Sequence, residues 1–107
     1  MPGASVRVLI VDDQPLFREA ARAVIDATPG FEALEDVTSA EAALARIDRL
    51  RPDIVLVDVR LPGMDGLEAC RRLCATRPEL LVVLLSADDD PVLRDTAPEV
   101  GAAAFVA

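Results

Sequence analysis

Three aspartates and a serine stand where an alternating chain of strands and helices would place reactive groups. Asp12 and Asp13 follow the apolar run 5–11, Asp58 follows 53–57 and Ser86 follows 80–85. If those runs are adjacent parallel strands in register, three carboxylates and a hydroxyl converge on one rim. Carboxylates that close raise one another's pKa unless a cation lies among them. A hard divalent ion relieves the repulsion, and Mg2+ favours a few carboxylates together with waters and phosphate oxygens. The chemistry this predicts is magnesium-dependent work on a phosphate. Taken singly, each of the four reads as a turn former or helix cap. A capping role does not anticipate all of them at the ends of three separate apolar runs.

The elements that must position these groups follow from periodicity. Runs 5–11, 53–57, 80–85 and 102–106 are short and mostly branched aliphatic, as strands buried on both faces should be, and a weaker strand is predicted over 31–37. Between them, Phe17, Ala20, Ala21, Val24 and Ile25 share one helical face. Ala43, Leu44, Ile47 and Leu50 share a second, and Leu67, Cys70, Leu73 and Cys74 a third. Thr38 or Ser39 caps the second helix, Asp65 the third, and Asp89 or Asp90 a fourth that starts at Pro91. Pro98 should break the last turn of that fourth helix, and Pro52 should stop the second with Arg51 extended. Strands alternating with helices imply a parallel α/β sheet with right-handed crossovers, covered on both faces. Ligands of such sheets lie at the carboxyl ends of the strands, the rim that carries the acids.

Composition bounds the partners. The chain has 107 residues, 52% apolar and 28% charged, with a net charge of −8. That balance argues against a charge-driven grip on nucleic acid or anionic lipid. No apolar run is long enough to span a bilayer, and Met1–Ser5 lacks the regions of a signal peptide, so a reducing cytoplasm is expected. With no histidine, Cys70 and Cys74 make no zinc site, and their i, i+4 spacing is poor for a disulfide; they read as small core residues. All eleven cationic side chains are arginine.

The segment Asp12-Asp13-Gln14-Pro15-Leu16 is followed by Asp58-Val59-Arg60-Leu61-Pro62-Gly63-Met64-Asp65-Gly66, by Ser86-Ala87 and by Gly101-Ala102. On these residues the chain resembles, over essentially its whole length, the receiver domain of bacterial two-component response regulators. The run from Asp58 to Gly66 is the most specific part of the match. The opening stretch resembles the subfamily that carries a carboxy-terminal helix-turn-helix.

The resemblance implies a flavodoxin-like, doubly wound five-stranded parallel sheet of order 2-1-3-4-5 with helices on both faces and the last helix absent, forming one receiver domain over 1–107. It implies that Asp58 accepts a phosphoryl group from a sensor histidine kinase. Mg2+ would be held by Asp13, Asp58 and the backbone carbonyl of Arg60, with Asp12 acting through a water. Ser86 would hydrogen-bond the phosphoryl group and draw its loop inward. Phe105 matches the aromatic that turns inward in response; from the residues alone it reads equally well as a core aromatic. Arg60 and Asp88 sit where the family tunes phosphoryl lifetime, either as an ion pair or as two solvated side chains.

Receivers carry a lysine at the position that would follow Ala107. The chain therefore reads as a receiver cut just before its switch lysine and fifth helix. Slow phosphoryl transfer is expected, and self-association through the sheet face left open. The implied protein is a signalling switch, not an enzyme, with a transcriptional output and any DNA contact made outside this chain, and with no membrane partner. A magnesium-dependent phosphatase with an aspartate nucleophile is the alternative. It would want Asp-x-Asp, where Asp58-Val59-Arg60 supplies arginine. A pseudo-receiver that binds partners without phosphorylation would not need the intact acid set. Nucleotide binding lacks a glycine-rich loop after the first strand.

Overall fold

A computed structural model describes residues 5–107, so most of the Met1–Ser5 segment lies outside the described residues. Five parallel strands, β1 (Val6–Val11), β2 (Phe31–Ala33), β3 (Ile54–Asp58), β4 (Leu81–Leu85) and β5 (Ala104–Val106), pair in the order β2-β1-β3-β4-β5. Four helices connect them: α1 (Pro15–Asp26), α2 (Ala40–Leu50), α3 (Gly66–Thr76) and α4 (Pro91–Glu99). This is the flavodoxin-like doubly wound architecture, and among the described residues no helix is long and apolar enough to cross a membrane.

The helices start where their capping residues direct. Ser39 Oγ accepts the Ala42 N–H at 3.1 Å, Asp65 Oδ1 the Glu68 N–H at 2.9 Å and Asp90 Oδ1 the Val92 N–H at 2.9 Å. Two helix ends differ from expectation. Arg51 is left-handed (φ 48°) rather than extended, because its N–H closes the last turn of α2 on the Ile47 carbonyl. Pro52 disfavours the right-handed helical conformation before it but leaves this cap open. Helix α4 runs one residue past Pro98, because a proline so near the end removes only one intrahelical bond.

The edge strands are shorter than the apolar runs suggested. β2 stops at Ala33, with Val37 returning as an isolated bridge to Val11, and β5 begins at Ala104 rather than 102. An edge strand has one neighbour, so its ends depend on a single ladder.

The two sheet faces differ in cover. Under α2, α3 and α4, the side chains of Leu9, Val11, Val55, Val57, Val82 and Leu84 are fully buried. Under α1, only Val8, Ile10 and Ile25 are buried among the described residues. Alternate residues of β3 and β4, such as Leu56, Val83 and Leu85, are therefore only half-buried, and Leu81 is 51% exposed. The predicted inward face of α1 is likewise open at Val24, 67% exposed. Phe17, Val24, Leu56 and Leu85 are among the residues lining a wholly apolar groove of about 340 Å3 on this side.

Candidate functional site

β1 and β3 are neighbours in register, with Val11 opposite Val57, so Asp12 and Asp58 leave the sheet side by side. One carboxylate oxygen from each of Asp12, Asp13 and Asp58 lies within 4.8 Å of the others. Oxygens facing each other across an octahedral Mg2+ at about 2.1 Å would be about 4.2 Å apart, so the spacing suits that ion.

The backbone fixes each group. Asp12 is buried, 4% exposed, its N–H donating to the Val37 carbonyl at 3.1 Å. Its Oδ1 accepts the Gln14 N–H at 2.7 Å, which turns the chain into α1, and its carbonyl accepts from Arg18 at 2.8 Å. Burial pushes the Asp12 carboxyl above its ordinary pKa; the Gln14 N–H opposes this, while the charges of Asp58 and Asp13 add to it. Asp58 Oδ1 accepts the Arg60 N–H at 2.9 Å. The following Val59 N–H donates to the Leu85 carbonyl of β4 at 2.9 Å, which holds the chain beyond Asp58 against the strand that leads to Ser86.

Ser86 is 8% exposed and shares with Asp12 and Asp58 the lining of a cavity of about 160 Å3. Its Oγ donates to the Asp88 carbonyl at 2.7 Å and accepts the Asp88 N–H at 3.1 Å. Gln14 and Phe17 also line this cavity. Neither was expected to line the site, because both read as ordinary residues at a helix start. A larger hollow, about 340 Å3, lies at the opposite end of β3 and β4. Arg51 and Arg77 there are balanced by Asp53 and Glu79, and no cluster of like charges forms.

The other predicted residues stand apart from the acids. Phe105 pairs with Leu84 on β5 and packs at the edge of the main core, with the Arg94 guanidinium 5.1 Å above its ring. Arg60 and Asp88 approach only to 3.9 Å with both side chains largely exposed, a pair worth little in water. Cys70 and Cys74 are free, 4.0 Å apart, and burial pushes the Cys70 thiol up to about 12, consistent with unreactive core residues.

Two residues that the sequence placed only near helix starts also contact the loop after Asp58. Gly66 opens α3 against the backbone of Asp58, and Glu41 of α2 accepts the Met64 N–H at 3.1 Å. A glycine at the first position of a helix was a usable signal for the former. A contact 23 residues apart leaves no local signal for the latter.

Among known proteins, the family model described as the response regulator receiver domain matches residues 8–107. The positive alginate biosynthesis regulatory protein of Pseudomonas aeruginosa is 42% identical over 83% of this chain and 36% of its own length. A protein-glutamate methylesterase/protein-glutamine glutaminase of Anaeromyxobacter dehalogenans is 41% identical over 99% of this chain and 30% of its own. The chain thus spans about a third of these two relatives. The signal receiver domain of NarL from Mycobacterium tuberculosis superposes with a TM-score of 0.90 at 34% identity, covering 97% of this chain and 84% of that one. Fold, rim and sequence agree, and the chain belongs to the response regulator receiver family, the signalling domain of two-component systems.

Proposed function

We propose that residues 1–107 act as a single receiver unit in the cytoplasm, in which Asp58 accepts a phosphoryl group from a sensor histidine kinase. The observation that carries this reading is the convergence of Asp12, Asp13 and Asp58 beside the cavity lined by Ser86. The Arg60 N–H engages Asp58 Oδ1, which leaves the second oxygen to attack phosphorus. The new O–P bond forms as the bond from phosphorus to the donor's imidazole nitrogen breaks, and the departing imidazole keeps the electron pair and takes a proton. Asp13, Asp58 and the Arg60 carbonyl would hold Mg2+, with Asp12 acting through a water. When bound, the ion offsets charge gathering on the phosphoryl oxygens.

Ser86 would exchange its turn within the 86–88 segment for a bond to the phosphoryl group, drawing that segment inward. Phe105 and its Arg94 partner on α4 would respond, changing the α4 and β5 face. The unit is a phosphoacceptor, not an enzyme acting on a separate substrate. Output is exerted outside these residues, through transcription and DNA contact. Incubation with Mg2+ and a small acyl phosphate should add one phosphoryl group by intact mass, and excess chelator should abolish the gain. Equal uptake with chelator would overturn the magnesium role.

We also propose that a second copy of this chain covers the open sheet face. The groove there is lined by apolar side chains alone, and a second copy laid on it would remove that surface from water. The three-residue edge strand β5 beside it adds Val106, 50% exposed. Sedimentation equilibrium at rising concentration should show a dimer that Val24→Glu weakens. A monodisperse monomer at high concentration would contradict it.

A further inference from the structure

The loop between Asp58 and Gly66 is secured at both ends by its own neighbours. At its start, Val59 N–H meets β4 and Arg60 N–H meets Asp58; at its end, Gly66 N–H meets the Val59 carbonyl at 2.9 Å and Asp65 caps α3. Between them, Leu61 is buried in the core and Met64 packs at its edge. The middle of the loop also meets α2. Glu41 Oε2 accepts the Met64 N–H at 3.1 Å and lies 2.7 Å from where a Cβ on Gly63 would stand. Gly63 has φ +77°, so both its backbone and its missing side chain suit this approach. Ala40 and Ala43, wholly buried, fix the rotation of α2 that turns Glu41 to the loop. The Glu41 carboxyl lies below its usual range because its own N–H and that of Met64 favour the charged form.

The same entry to α2 reaches the other half of the acid rim. Val37, buried and bridged to Val11, accepts the Asp12 N–H. Residues 37–41 therefore touch both the strand end that carries Asp12 and the loop that carries Arg60.

We propose that Glu41 is a positioning residue for the phosphoacceptor site: its carboxylate, seated in the cradle left by Gly63, holds the 58–66 loop so that Asp58 and the Arg60 carbonyl face Asp12 and Asp13. The inference rests on the receiver reading given above and extends it to a residue outside the acid cluster. Outer partners of metal ligands commonly change metal affinity by 10- to 100-fold, and Glu41→Ala should weaken Mg2+ binding by about tenfold. It should also speed hydrogen exchange of the Met64 amide by about tenfold or more, because that N–H loses its acceptor. Glu41→Gln keeps an acceptor oxygen and should restore most of both.

The test measures Met64 exchange by NMR without metal, and Mg2+ affinity by calorimetry, for the parent chain, Glu41→Ala, Glu41→Gln and Asp58→Asn. Unchanged Met64 exchange in Glu41→Ala overturns the proposal. So does equal weakening of Mg2+ binding by Ala and Gln, which would mark a simple charge effect. If Asp58→Asn binds Mg2+ as the parent does, the receiver reading of the cation site fails instead, while Met64 exchange still judges Glu41.

Discussion

Gly66→Ala is expected to lower the urea midpoint by about 1 M or more, a loss of roughly 2–3 kcal/mol. A Cβ on Gly66 would stand 2.2 Å from the Asp58 carbonyl oxygen, 2.8 Å from Val59 Cα and 2.9 Å from the Asp58 carbonyl carbon. All three are backbone atoms, so no rotamer change relieves the contact. Alanine is favoured over glycine within helices by about 1 kcal/mol, which opposes the effect but does not match it. Relief requires α3 to move off β3 or the Asp58 peptide to shift. The second route displaces the Asp58 carboxylate, so the variant should also bind Mg2+ more weakly than its remaining stability explains. Equilibrium unfolding with a parallel Mg2+ titration checks both. A midpoint equal to the parent's would contradict the close approach.

Asp12→Asn should have opposite effects with and without a divalent cation. Asp12 is buried beside two other carboxylates, and its ionised form is disfavoured by burial and by their charges. Asparagine keeps the oxygen that accepts the Gln14 N–H while removing the charge. Without metal, the variant should be more stable than the parent, because the amide carries no charge to be buried beside Asp13 and Asp58. The sign follows from linkage. A carboxyl whose pKa is raised on folding binds its proton more tightly in the native state, so its ionisation weakens the fold as pH rises through the carboxylate range. At Mg2+ a hundred times its dissociation constant, the parent should gain about 2.7 kcal/mol. The variant should gain much less, and the order of stability reverses. Thermal unfolding with Mg2+ and with chelator reads this directly. If Asp12 were only a turn residue, substitution would be near neutral and indifferent to Mg2+.

The acid rim was legible because it depends on two robust signals: apolar runs of strand length and the acids that follow them. Once the runs became parallel neighbours, Asp12 and Asp58 had to meet. The edges were less legible. Residues 102–103 are apolar and Leu34 and Val37 flank a pair of acids, but with a single neighbour each ladder ends earlier than the predicted strand. Arg51 shows a local rule met in a different way, since proline forbids one conformation without choosing between the two that remain. The aliphatic runs of β3 and β4 pointed to burial on both faces. Their alternation in burial records that α1 covers only part of one face among the described residues. The contacts of Gly66 and Glu41 were not legible because each is tertiary, a close backbone approach to the end of β3 in one case and a carboxylate reaching from α2 to the loop before α3 in the other.

Which of the three clustered carboxylates takes the phosphoryl group is decided most directly by reductive trapping. The chain is incubated to equilibrium with Mg2+ and a small acyl phosphate, then reduced with borohydride, which converts an aspartyl phosphate to homoserine. Peptide sequencing by mass spectrometry should place homoserine at position 58 alone, with none in Asp58→Asn. Homoserine at position 12 or 13, or equal labelling of the Asp58→Asn variant, would contradict the assignment.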